Sequence, residues 1–150
     1  MTEERRVVRS CGECTACCKT HYIEELQKPQ GQWCIHCSVG VGCKIYDRRP
    51  EECRRYACEW LKGSGFESER PDKIGVVVDI MISDDRKEAL IRVIEVFEGA
   101  IERPRIRQMV EFFLAKGRAV YSQPIHGAGD IELPWGVTPG PLLRKLMESL

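Results

Sequence analysis

Hydrophobic patterning divides the chain near Lys62-Gly63-Ser64-Gly65 into a half with little regular periodicity and a half where it is clear. After this break, residues 74–82 are rich in β-branched side chains, which suit a packed pleated strand, and Ser83-Asp84-Asp85-Arg86 supplies a turn. Residues 89–97 alternate over their second part and read as the antiparallel partner, closed by Glu98-Gly99. Pro104 opens a helix to about residue 116, with Ile106, Met109, Val110 and Phe113 on one stripe and Gly117 as its cap. Residues 118–123 read as a third strand. Residues 139–150 read as a terminal helix with Leu142, Leu143, Leu146 and Leu150 facing inward.

Before the break, regular structure is short and interrupted. Residues 10–19 fit a turn leading into one or two helical turns, 24–27 a helical piece ended before Pro29, and 30–42 a loop with glycines at its turns. Residues 49–61 form the clearest helix of this half: Pro50 suits its first position, Glu51 and Glu52 complement the N-terminal dipole, and Gly63 stops it. The expectation is one α+β domain over 1–150. It combines an irregular, cysteine-rich, metal-bound portion (1–62) with a small antiparallel sheet and two helices (63–150). A length of 150 residues suits one domain.

Composition sharpens the same division. All nine cysteines lie between Cys11 and Cys58, whereas cysteines used as small core residues would be scattered along the chain. The charged start, Met1 to Arg6, leads into no apolar signal segment, and no apolar run reaches the roughly 18–20 residues of a membrane span, so the chain reads as cytoplasmic. A reducing compartment favours metal ligation over disulfides, and the odd cysteine count leaves any pairing scheme one partner short. The 23 basic and 23 acidic residues cancel, which removes the global field that would recruit nucleic acid or an anionic membrane. Ionised thiols bound to zinc would leave net negative charge, and Arg9, Arg48, Arg49, Arg54 and Arg55 are placed to offset part of it; a plain solvated face explains them equally.

Zinc and iron–sulfur centres need several thiolates converging on one point, and a Cys-x-x-Cys step delivers two from one turn. That step occurs at Cys11/Cys14, Cys14/Cys17 and Cys34/Cys37. In a helix, Cys11, Cys14 and Cys18 would share an arc of about 60° with Cys17 to one side. Cys17 and Cys18 are adjacent and ill suited to one tetrahedral ion, so two neighbouring ions, or a cluster flanked by an ion, fit the ligand supply better than a single four-cysteine site. Cys43, Cys53 and Cys58 add three thiols. Cys53 and Cys58, five apart, cannot both face one centre unless the helix ends between them. His36, between Cys34 and Cys37, is a further candidate ligand; His21 and His126 have weaker claims. Trp33, Tyr46, Tyr56 and Trp60 would form a dry wall around the centre, a role ordinary packing also explains. Glu13 is a weak candidate acid/base beside a metal-bound water. The chain carries no Gly-rich phosphate loop and no Ser/His/Asp pattern.

Three motifs occur in order: Cys-x-x-Cys-x-x-Cys-Cys at 11–18, Trp-Cys-x-His-Cys at 33–37, and Gly-Cys-x-Ile-Tyr-x-x-Arg-Pro-x-x-Cys-Arg-x-Tyr-x-Cys-x-Trp-Leu at 42–61. Together they resemble the YkgJ-like cysteine-cluster family, described as zinc- or iron-chelating proteins, over about residues 10–61. The resemblance implies a metal-binding cluster using Cys11, Cys14, Cys17, Cys18, Cys43 and Cys53, with Cys34 at the intervening position. His36, Cys37 and Cys58 look like features of a subgroup. It implies no substrate or reaction, and whether the chain is an enzyme stays open.

The function these residues favour is a zinc-binding protein with a structural, chelating or interaction role. The competing readings are an iron–sulfur protein in electron transfer or oxidoreduction, and a zinc module that binds a partner. Metal ions are the only partner the residues define; the neutral charge counts against nucleic acid.

Overall fold

A computed structural model describes residues 8–150; the Met1–Arg6 stretch lies outside the described residues. Eleven short elements follow in order: α1 (Cys17–Thr20), β1 (Cys37–Ser38), β2 (Gly42–Cys43), α2 (Glu51–Arg55), α3 (Pro71–Ile74), β3 (Val76–Ile82), β4 (Ala89–Glu95), α4 (Pro104–Ala115), β5 (Ala119–Gln123), β6 (Asp130–Glu132) and α5 (Pro141–Glu148). The fold is mixed α and β, with a two-stranded ribbon β1-β2 and a four-stranded sheet ordered β3-β4-β5-β6. None of the described helices is long and apolar enough to cross a membrane.

The sheet is not the purely antiparallel one expected. β3 pairs antiparallel with β4, placing Val77 opposite Ile94 and Asp79 opposite Arg92, but β4 and β5 run parallel with Ile91 opposite Val120. The reason is the connection: the twelve residues of α4 carry the chain about 18 Å back along the sheet, so the next strand starts from the same end. β6 then adds antiparallel to β5, a strand the sequence did not announce.

Strand alternation gives the sheet two covered faces. On one, Val76, Val78, Ile91, Val93 and Val120 pack against Ile106 and Val110 of α4, each contributing about 1.5–3 kcal/mol by leaving water. On the other, Leu90 and Ala119 pack against Leu143 of α5, while Val77 meets Ala16, Cys14, Tyr56 and Cys58 of the cysteine-rich half. Gly75 joins α3 to β3 at φ 84°, and a β-carbon there would stand 2.8 Å from that of Ala100, so both the conformation and the space call for glycine.

Several local expectations are corrected. Residues 24–27 turn rather than form a helix, because Ile23 and Lys28 exchange backbone hydrogen bonds at 3.1 Å and close the loop between them. The helix expected over 49–61 stops at Arg55: Tyr56 becomes extended, and the following segment is drawn along the sheet edge, where the Glu59 N–H donates to the Val78 carbonyl at 2.8 Å. Of the stretch 30–42, expected as loop, Cys37–Ser38 pairs with Gly42–Cys43 to form the β1-β2 ribbon. Leu150 lies beyond the end of α5 and is 47% exposed, so it does not face inward.

Candidate metal centre

Each cysteine-bearing segment is bent by backbone hydrogen bonds that the short spacings permit. The Cys14 N–H donates to the Cys11 carbonyl at 2.9 Å, and the Cys37 N–H to the Cys34 carbonyl at 3.0 Å, so these two of the three Cys-x-x-Cys steps are closed turns. Gly12 supplies the left-handed φ of 55° in the first. Only Cys17–Thr20 is helical, which replaces the arc expected for a helix over 11–18. The Cys34 N–H donates to the Cys18 carbonyl at 3.1 Å, clamping the two segments, and the ribbon sets Cys37 directly opposite Cys43. The Gly40 N–H reaches the buried Thr15 hydroxyl at 3.1 Å and fastens the ribbon tip to the first segment.

All nine cysteines are free, and eight of them are half-buried; Cys11 is exposed. Their mutual influence defines two neighbourhoods. In the larger, Cys18 is pushed up first by its contact with the Cys17 thiol and then by burial, while the Cys37 thiol contact opposes this. Cys37 is pushed up to about 11 by burial and then by the charge of Cys18. Cys53 is raised by burial and then by Cys18, Cys34 and Cys43, which places it in the same group. In the smaller, Cys14 and Cys58 pack against the same buried Ala16 and Val77. Cys11 is raised by burial and by the charge of Cys58, with Arg49 and Arg70 opposing, and Cys18 of the larger group adds a smaller push that links the two neighbourhoods. Cys14 is raised to about 11 by burial and approaches Asp72. Because α2 ends between them, Cys53 joins the first neighbourhood and Cys58 the second.

His36 enters through its carbonyl, which accepts the Lys44 N–H at 2.8 Å across the ribbon. His21 has both ring nitrogens engaged, Nδ1 with Thr20 Oγ1 at 2.7 Å and Nε2 with Asp79 Oδ2 at 3.2 Å. His126 is exposed and lies at the far end of β5. Among the expected wall aromatics, Trp60 is buried under the Arg9 guanidinium, whereas Tyr46 is 61% exposed and stacks on Arg49 at 3.8 Å. Tyr46 is therefore no part of a dry wall. The arginines divide similarly: Arg9 donates to the carbonyls of Trp60, Ser64 and Gly65, Arg54 to that of Asp47, and Arg55 pairs with Glu51 on the surface.

Two features escaped the sequence reading. Lys28 is buried, donates its ammonium to the carbonyls of Lys19 and His21, and lies near Cys17, Cys18, Cys34 and Cys53; burial lowers its pKa, and those thiols oppose the shift. Nothing in its neighbourhood, just before Pro29, announces that position. The second is Asp79, a lone carboxylate inside the apolar run 76–82, which could have signalled a buried ion pair. Arg92 grips it with two hydrogen bonds at 2.6 and 2.7 Å, and Tyr56 and His21 reach it from the cysteine-rich half. Burial alone would raise Asp79, but these partners outweigh it and hold the carboxyl at about 2.

Among the described residues, no three Cys, His, Asp or Glu side chains already stand in metal-holding geometry. The chain matches no family model, no curated protein and no solved structure.

Proposed function

We propose that this chain is a zinc-binding protein in which the thiols of Cys11, Cys14, Cys17, Cys18, Cys34, Cys37, Cys43, Cys53 and Cys58 hold about two ions, with a structural role. The observation that carries the reading is the clamp between the Cys18 and Cys34 segments together with the Cys37–Cys43 pairing: free thiols from separate segments are brought into one region by hydrogen bonds of the backbone. The donor set fits. Clustered, partly buried thiols cannot all ionise beside one another without a cation, and a divalent ion removes that repulsion. The ion itself draws the side chains into their final coordination, as in small domains whose metal site forms with the fold.

A structural role follows from how little else holds this half together. Its elements are two to five residues long, and bound structural zinc supplies on the order of 10–16 kcal/mol that folding can draw on. Cys18, Cys34, Cys37, Cys43 and Cys53 would serve one ion and Cys11, Cys14 and Cys58 the other, with Cys17 between them and His36 an additional donor. The motifs at 11–18, 33–37 and 42–61, read as resembling those of the YkgJ-like cysteine-cluster family although no family model matches, point to the same reading.

The test is elemental analysis of protein purified without air. About two zinc ions per chain are expected, falling in Cys18→Ser and Cys34→Ser. A brown preparation with about four irons per chain and absorption near 400 nm would replace zinc with an iron–sulfur cluster. Metal-free protein with the same folded spectrum would sink both.

A further inference from the structure

On the sheet face covered by α4, opposite the face that meets the cysteine-rich half, lies a cavity of about 440 Å³ at the carboxyl ends of the parallel strands β4 and β5 and beside the start of α4. Crevices at this position are where parallel β-α-β units admit ligands. Its walls are built rather than incidental. Buried Glu95 accepts the Ile101 N–H at 3.1 Å through one oxygen and the Ile125 N–H at 3.3 Å through the other, fixing the loop after each strand. Arg107 is held by Glu132 at 2.9 and 3.3 Å and is thereby neutralised.

The rest of the lining is acceptor-rich. Glu98, Glu102 and Asp130 face the cavity mouth, all three exposed. Ser122 lines its inner wall at 8% exposure, and its hydroxyl oxygen, enclosed by protein, has no hydrogen-bond partner among the described residues. Alternation along β5 places this side chain on the face of Val120, which packs against α4, and hence on the cavity side. An enclosed polar atom left unpaired costs about 1–3 kcal/mol, so a ligand group that pairs with it gains correspondingly.

We propose that this cavity binds a small aliphatic polyamine, its ammonium groups shared among Glu98, Glu102, Asp130 and the Ser122 hydroxyl. Ammonium groups carry only donors, which complements a lining in which carboxylates outnumber the basic side chains, Arg107, already paired with Glu132, and the exposed His126. The space is far larger than a metal ion, and the exposed carboxylates, two from the 98–102 loop and one from the start of β6, form no metal-holding group among the described residues. A linear cation with charges several ångströms apart matches that arrangement.

Calorimetric titration of the zinc-loaded full chain with spermidine tests this. Saturable binding at about 0.15 M salt is expected, weakened about tenfold in Glu98→Gln/Glu102→Gln and reduced in Ser122→Ala. The two glutamates are exposed, so their replacement leaves the fold intact. Absence of saturable binding, equal binding by all variants, or binding of a lysine-rich peptide without spermidine would overturn the proposal. Unchanged zinc content in the variants keeps this outcome separate from that of the cysteine centre.

Discussion

The Tyr56 hydroxyl donates to Asp79 Oδ2 at 2.7 Å, joining the segment between Cys53 and Cys58 to the middle of β3. Asp79 is buried and also holds Arg92 beside it and His21 from the end of α1, so one carboxylate gathers groups from both halves of the chain. The cysteine-rich half is thus seated on the sheet through a polar centre as well as through Val77 and Val96.

Removing one donor at this centre should cost less than removing the acceptor. Tyr56→Phe is expected to lower stability by about 2 kcal/mol, the value of a hydrogen bond to a charged group. Asp79→Ala leaves Arg92 unpaired and should cost about 3–5 kcal/mol. Urea unfolding at matched zinc content measures both, and equal losses would contradict the shared-acceptor arrangement.

The same carboxylate sets an acid limit. Its folded pKa of about 2 lies below the ordinary value near about 4, so the unfolded chain binds its proton first as the pH falls. The resulting stabilisation, about 2 kcal/mol, is present above about pH 4 and is lost as the pH drops through about 2. The difference in unfolding free energy between wild type and Asp79→Asn should shrink across that window, whereas a constant difference would refute the assignment.

Metal removal should act unevenly. Chelation is expected to cost about 4 kcal/mol or more, as for a ligand held far above its dissociation constant. Amide exchange should accelerate over 17–43, whose helix and strands are only two to four residues long, while 91–93, central in the sheet and packed against α4, stay protected. Uniform acceleration would show that the sheet half depends on the metal as fully as the cysteine half does.

Burial separates two leucines of the second half, Leu90 in β4 and Leu150 just past α5. Leu90 is fully enclosed between neighbouring strands and Leu143, and Leu90→Ala should cost about 2–5 kcal/mol. Leu150→Ala should stay within about 0.5 kcal/mol, because the side chain lies past the helix end and is half exposed. Thermal melts of the two variants give the comparison directly.

Local chemistry was enough to place β3, β4, α4, β5 and α5 of the second half, though not α3 or β6. The β-branched run read at 74–82, the turn after Ser83 and the amphipathic stripe from Ile106 to Phe113 mark three elements that the fold contains, although the strand itself begins at Val76, after Ile74 closes α3. The turns at Cys11–Cys14 and Cys34–Cys37 were likewise written in short-range spacing. What spacing along the chain could not decide was which segments meet. The parallel direction of β5 depends on the length of α4 against the sheet, the early end of α2 on Tyr56 reaching Asp79, and the burial of Lys28 on carbonyls that only the folded loop presents. These are contacts between residues far apart in sequence or in loops without periodicity, and their energies exist only once packing has brought the groups together.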